Sequence, residues 1–169
     1  MNRPLTEFAV VLPGFKMTDD RAEESYSYAL LSVIYILYTA KKAKAINMTE
    51  LWRTALKYSK LPGSDCFGLQ FRWPHDNAYD FKSMHFKWPI IKLSANGLLE
   101  VWEIPRGREY TKLMAPTDAG ARKAQKFIKF VINHKPEFLW RTRSRRIAQF
   151  KNFLGSMCSR QEYREIIMQ

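Results

Sequence analysis

The stretch that decides the fold spans residues 93–120 and reads LSANGLLEVWEIPRGREYTKLMAPTDAG. Asn96 and Gly97, near its start, permit the positive φ with which a chain leaves a helix and enters a strand. Residues 98–104 then alternate well enough to predict one β-strand, and residues 109–114 predict a second. The Pro-Arg-Gly-Arg segment between them predicts a tight turn. The sequence therefore predicts a β-hairpin with a basic tip.

The tip of this predicted hairpin carries Arg106 and Arg108 on either side of Gly107. A guanidinium at a projecting tip can reach a phosphate or enter the minor groove of DNA. An ordinary solvated turn is the alternative interpretation. Two arginines on one tip in a strongly basic chain favour binding.

Helical patterns surround the hairpin on both sides. The predicted segments are residues 21–45, a short helix from Thr49 to Tyr58, residues 76–95, residues 119–133, residues 137–153 and a short terminal helix from Ser159. Pro89 interrupts the third segment, so that helix either kinks there or starts anew near Trp88. The first helix is apolar on nearly all sides between residues 29 and 38, which favours a core position over a subunit interface.

The net charge of the chain indicates the class of its binding partner. The 169 residues carry a formal net charge of +12, and the sequence pI is about 9.8. Residues 101–169 hold fifteen Lys and Arg against six Asp and Glu, so most of the excess lies there. Clustered cations gain free energy by releasing counterions from phosphates. A polyanionic partner is expected, with an inert basic surface as the alternative.

Other features exclude several classes of protein. Cys66 and Cys158 lie far apart without a C-x-x-C partner, which argues against a structural zinc site and a disulfide-rich secreted fold. No signal pattern opens the chain, and the most apolar run, of about thirteen residues, is too short to cross a bilayer. A cytoplasmic protein without metal or cofactor is expected.

Catalytic motifs are not found in the sequence. It holds no phosphate-binding loop, dinucleotide fingerprint, zinc-protease helix or nucleophile elbow. Asp65, Asp76 and Asp80, with His75, could surround a metal as in a nuclease, but nothing in their spacing requires it. No catalytic residue is expected.

Residues 93–120 resemble the end of the recognition helix, the wing and the opening of the next helix in MarR-type regulators. The shared sequence pattern is Asn96-Gly97-Leu98, followed by arginines at a hairpin tip and then by Thr117-x-x-Gly120. The resemblance implies a mainly α fold with a small β-hairpin, a winged helix-turn-helix with extra N- and C-terminal helices. Residues 1–135 would form the winged-helix domain and residues 136–169 a basic helical extension.

In the resembled family, the helix before the wing enters the major groove of DNA. The exposed candidates for contacts with bases and phosphates are then Lys82, Ser83, His85, Lys87 and Lys92. Two features depart from the family pattern. About twenty residues separate Ser59 from Asp80 where the family has a short turn, and Pro89 lies inside the presumed recognition helix.

A second basic feature follows in residues 141–146, which read RTRSRR. Four arginines there, Arg141, Arg143, Arg145 and Arg146, adjoin an apolar series formed by Trp140, Ile147, Phe150 and Phe153. This pattern predicts a basic amphipathic helix. Contact with phosphates is favoured, while a dimer interface or an acidic protein surface are alternatives. A membrane surface lacks the support of a lipidation motif.

The expected function is that of a dimeric transcriptional regulator of bacterial, phage or plasmid type that binds double-stranded DNA. Residues 21–45 and 137–169 are the expected dimerisation segments of a homodimer. A winged-helix module that binds a protein, such as a phage-encoded inhibitor of host nucleic-acid machinery, is the alternative from another class. A replication or partition protein that binds origin sites would share the same sequence features.

Overall fold

The computed structural model describes residues 20–40, 45–58, 87–134, 142–158, 161 and 164–165. The elements in chain order are α1 (Asp20–Ala40), β1 (Ile46–Asn47), α2 (Met48–Tyr58), α3 (Lys87–Ala95), β2 (Leu99–Arg106), β3 (Glu109–Pro116), α4 (Asp118–Asn133) and α5 (Thr142–Met157). The described part is mainly helical with one small antiparallel sheet. This architecture confirms the mainly α class that the sequence predicts.

The sheet has three strands in the order β1-β3-β2. Strands β2 and β3 pair along their whole length, from Leu99 opposite Pro116 to Arg106 opposite Glu109. Strand β1 adds to the other side of β3, where Ile46 lies opposite Met114. Strand β1 is not predicted from the sequence, because two residues carry no periodicity. What holds the strand is Ile46, which is fully buried in the core.

Helix α1 lies at the centre of the fold. Its side chains from Ser27 to Leu37 are all buried. The polar Ser32 among them is satisfied locally, since its hydroxyl donates to the carbonyl of Ala29 at 2.6 Å. A helix buried on all sides is apolar on all sides. The core position predicted for this run is therefore confirmed.

Helices α4 and α5 meet through aromatic rings in the same core. Phe127 of α4 and Phe150 of α5 are 6.2 Å apart between ring centroids and nearly perpendicular. Phe150 also stacks with Phe153 at 5.5 Å. Such pairs stabilise beyond the area that they bury. The C-terminal helix thus shares the main core, while the predicted division at residue 135 stays a prediction.

Helix α2 begins at Met48, one residue before its predicted start at Thr49. Asn47 caps it, because its side-chain oxygen accepts a hydrogen bond from the backbone N–H of Glu50 at 2.7 Å. The structure describes α3 from Lys87 onwards, and Pro89 is its third residue. Residues 76–86 of the predicted helix lie outside the described residues.

Candidate nucleic-acid interface

The end of α3 directs the chain into the hairpin. Gly97 has a φ of 72°, and its N–H donates to the carbonyl of Ser94 at 3.0 Å. The N–H of Leu98 donates to the carbonyl of Leu93 at 2.9 Å. These two bonds form a Schellman motif, which satisfies the last carbonyls of a helix and requires the left-handed residue that glycine supplies. The predicted role of Asn96-Gly97 is confirmed.

The start of α4 is bound to that same turn through Thr117. The Thr117 hydroxyl accepts from the N–H of Gly120 at 3.0 Å, as an N-cap does. It also donates to the carbonyl of Gly97 at 2.6 Å, and the Thr117 N–H donates to the carbonyl of Leu98 at 3.2 Å. Both ends of the hairpin are thereby joined at one point, which we call the junction (residues 97, 98, 117 and 120).

Gly120 is required at the junction for reasons of space. A Cβ on this residue would overlap the carbonyl oxygen of Leu98 and lie 2.8 Å from its carbonyl carbon. The backbone of α4 therefore passes against the backbone of the turn. This contact gives a physical reason for the Thr-x-x-Gly pattern in the sequence.

The hairpin tip is shorter than the sequence predicts. Pro105 and Arg106 belong to β2, so the turn is only Gly107 and Arg108. Gly107 has a φ of 63°, which suits the first position of a two-residue hairpin turn. The pairing extends because the register keeps Arg106 directly opposite Glu109. Both guanidinium-bearing residues of the tip, Arg106 and Arg108, are exposed.

The charges of the hairpin balance. Its cations are Arg106, Arg108 and Lys112, and its anions are Glu100, Glu103 and Glu109. Lys112 lies opposite Glu103, as Arg106 lies opposite Glu109. Opposite charges at facing positions attract, so part of the tip's positive potential is offset within the hairpin. The large positive excess of residues 101–169 therefore lies outside the two strands.

Large apolar side chains are exposed on the outer half of the hairpin. Trp102, Ile104 and Tyr110 are exposed to 37%, 43% and 69%. Because side chains alternate along a strand, Trp102 and Ile104 share one face, and Tyr110 lies on the other face opposite Pro105. These residues add nothing to the core. The outer half of the hairpin is therefore a surface that remains available for contact.

Three of the residues predicted for the recognition helix, Lys82, Ser83 and His85, lie outside the described residues. Lys87 is the first residue of α3. Lys92, in its last turn, is half-buried.

Further exposed residues of α3 are not predicted from the sequence. Ile91 is exposed to 43%, and Ser94 and Ala95 are exposed as well. No charge or motif distinguishes them in the sequence.

The arginines of the C-terminal segment are only partly placed. Arg141 lies outside the described residues, while Arg143, Arg145 and Arg146 belong to α5. Arg145 is exposed. On the apolar side of α5, Ile147, Phe150 and Phe153 are buried, as the amphipathic pattern predicts.

Helix α4 carries a row of cations that the sequence analysis missed. Arg122 and Lys126 are exposed, while Lys123 and Lys129 are half-buried. Residues 119–133 contain no acidic residue. Arg122, Lys126 and Lys129 recur at four- and three-residue spacing, opposite a buried stripe that includes Ala124, Phe127 and Val131. That spacing could have identified the row.

Tyr28 of α1 lies beside this row. Its hydroxyl donates to the carboxylate of Glu24, and the Lys123 ammonium lies 4.8 Å from the centre of its ring. Burial first, and then the bond to Glu24, hold the pKa of Tyr28 well above its usual range. The phenol therefore stays protonated and remains a donor.

His134 follows α4 and does not add to its charge. Burial lowers the pKa of its imidazole below the usual value. The ring is half-buried beside Phe130, with centroids 6.5 Å apart. His134 is therefore neutral at pH 7, and the positive charge along α4 comes from lysine and arginine alone.

The described ranges hold no group of three His, Cys, Asp or Glu side chains that could bind a metal ion. His75, Asp65, Asp76 and Asp80 lie outside those ranges, as does Cys66, whereas Cys158 is a half-buried cysteine. None of the described helices is long and apolar enough to span a bilayer.

Comparison with known proteins gives no match. No family model, no curated protein and no solved structure is significantly similar to this chain. The functional interpretation therefore depends on the geometry and charge of the residues themselves.

Proposed function

We propose that this chain binds duplex DNA through α3 and the hairpin that follows it, as a winged helix-turn-helix protein. The observation that carries the proposal is the exposed tip, where Arg106 and Arg108 flank Gly107 on a hairpin with eight-residue strands. Helices precede this hairpin and another follows it. That order is the winged-helix arrangement, and the MarR-like rhythm of residues 93–120 agrees with it.

The chemistry at the tip suits a polyanion. Arginine presents several N–H donors in a planar fork and remains charged at every physiological pH. Such a group contacts phosphate oxygens or enters a narrow minor groove, where the potential is most negative. The junction fixes the base of the hairpin to both α3 and α4. These hydrogen bonds hold the base of the hairpin beside the end of α3.

Helix α3 would supply the contacts in the major groove. Its exposed Ile91 and Ser94 suit contact with a thymine methyl group and with a base edge. Lys87 and Lys92 would contact the sugar-phosphate backbone of the DNA. The basic residues of α5, including Arg145, would extend the contact to further phosphates.

The test is a binding measurement with duplex DNA across a salt series. Arg106→Gln and Arg108→Gln are each expected to weaken binding by about 1.5–3 kcal/mol, the range for a hydrogen bond to a charged group. Each should also lower the slope of log K against log salt by about 0.9, which corresponds to one phosphate contact. Fluorescence anisotropy of a labelled duplex gives both quantities.

The matched control is Arg164→Gln, which removes an exposed arginine near the C-terminus. It changes the net charge equally and is expected to leave affinity and slope close to those of the wild type. If the tip variants bind as tightly as this control, the hairpin does not contact DNA and the proposal fails.

A second candidate function is binding to a protein. The observation that favours it is the exposed pair Trp102 and Ile104 on one face of the hairpin, because aromatic side chains are enriched at protein interfaces. Trp102→Ala would then abolish a salt-insensitive complex with a protein. The arginine variants would bind that partner normally.

The wider role that we propose is transcriptional regulation by a cytoplasmic homodimer. Two copies would place their hairpins on successive turns of a pseudo-palindromic site. A replication or partition role differs from this only in its DNA target. Footprinting on the DNA that flanks the gene distinguishes them, since repeated origin sites give several protected segments and an operator gives one symmetric segment.

A further inference from the structure

A cleft of about 500 Å³ lies between α1, the turn after α3 and the first turns of α4. Helix α1 contributes Glu24 and Tyr28, and the turn contributes Asn96 and Leu98. This volume is within the range of sites for small ligands. The cleft lies at the base of the hairpin, whereas the tip residues Arg106 and Arg108 are not part of it.

Three cations of α4 line the cleft: Arg122, Lys123 and Lys126. One anion, Glu24, accompanies them. The Glu24 carboxylate already accepts a hydrogen bond from the hydroxyl of Tyr28, and the Lys123 ammonium lies over the Tyr28 ring. The positive charge in the cleft therefore exceeds the negative charge by two.

The start of α4 adds to this potential. Ala119, in the first turn of the 16-residue helix, also lines the cleft. The N-terminal end of a helix carries a partial positive charge and favours anions. Asp118 in the same turn is exposed and is not among the lining residues.

We infer that this cleft binds a phosphate group, as a site separate from the hairpin tip. A phosphate offers more acceptor oxygens and more charge than a carboxylate, and it can accept from a guanidinium and two ammonium groups at once. The phosphate can come from a nucleic-acid backbone or from a small phosphorylated molecule. The site does not depend on the hairpin contacting DNA.

The experiment titrates inorganic phosphate and pyrophosphate into the ¹⁵N-labelled full-length chain, with ionic strength held constant by sodium chloride. Saturable shifts are expected in the amide signals of Ala119, Arg122 and Lys123. In Arg122→Gln/Lys126→Gln, the affinity for phosphate is expected to fall about tenfold or more, as the loss of charge-assisted hydrogen bonds implies. Lys123 is left intact because it covers Tyr28.

Lys129→Gln is the matched control, because Lys129 lies on the same helix and does not line the cleft. It should bind phosphate as the wild type does. Shifts that sodium chloride alone reproduces, or an unchanged affinity in the double variant, would overturn the inference.

A second arm identifies the source of the phosphate. If the double variant also binds duplex DNA more weakly, the group belongs to a nucleic-acid backbone. If it binds duplex normally while losing inorganic phosphate, the ligand is a small phosphorylated molecule. A chain that never binds duplex but still shows the saturable shifts refutes the proposed DNA function and leaves this site standing.

Discussion

The hairpin and α4 leave the same junction and differ in almost every property that matters for binding. The hairpin projects and exposes Trp102, Ile104 and Tyr110, but its charges balance. Helix α4 is packed along one side through residues such as Phe127, and after the exposed Asp118 of its first turn the charged residues of its other side are all cations. Shape and charge are thus supplied by different elements. The net charge of a chain does not tell which element meets a polyanion.

The largest expected effect separates the packed element from the projecting one. Phe127→Ala removes a fully buried ring of α4 and should lower the free energy of unfolding by about 3–5 kcal/mol. Tyr110→Ala removes a ring of the hairpin that is exposed to 69% and should change it by less than about 0.5 kcal/mol. Urea unfolding followed by circular dichroism measures both. Equal losses would mean that the outer hairpin is part of the folded core.

The next prediction concerns the junction that both elements share. Gly120→Ala places a methyl group against the backbone of Leu98 and should cost about 3 kcal/mol. Gly155→Ala is the control, because a Cβ there meets nothing within 4 Å. A helical glycine replaced in open space should gain about 0.5–1 kcal/mol. The midpoint temperature of thermal unfolding should thus fall in Gly120→Ala and rise in Gly155→Ala.

A smaller effect is expected from the side chain that joins hairpin and helix. Thr117→Ala loses the cap on Gly120 and the bond to the Gly97 carbonyl. The expected cost is about 1–2 kcal/mol. Thr117→Ser keeps the hydroxyl and should retain most of the stability. A serine variant as unstable as the alanine variant would mean that the methyl group, not the hydrogen bonds, is responsible.

The smallest effect tests the charge balance of the hairpin. Glu109→Gln removes the carboxylate opposite Arg106 and should strengthen duplex binding about twofold at low salt, since exposed charges of opposite sign affect each other only weakly. The gain should vanish at high salt through screening. Glu103→Gln, farther from the tip, should have a weaker effect. An increase in duplex affinity that persists in high salt would mean that the substitution acts through the shape of the hairpin and not through its charge.

Local signals made the hairpin and α4 predictable. The alternation before and after Gly107, the glycine after α3 and the Thr-x-x-Gly start of α4 each act within a few residues. The predicted helix of residues 119–133 accordingly matches Asp118–Asn133 closely. Strand β1 was missed because its existence depends on Met114, which is remote in sequence.

The candidate site was less predictable for the same reason. The tip arginines are visible in the sequence because they adjoin a turn. The cleft is not, since Glu24 and Lys126 come together only when α1 packs against α4. The cation row of α4 was obscured because four charges in a long helix are typical of a solvated face.

The position of β2 in the sheet has a consequence for crowded solutions. In the described part of the chain, this strand pairs with β3 alone, and it bears Glu100, Glu103 and Pro105. An edge strand has unpaired backbone groups that can pair with a strand of another molecule. The two carboxylates, and the missing amide proton of Pro105, oppose such pairing. Two molecules that paired through their β2 edges would bring these negative charges together. The double substitution Glu100→Gln/Glu103→Gln should therefore be the change after which this protein begins to self-associate through its hairpin.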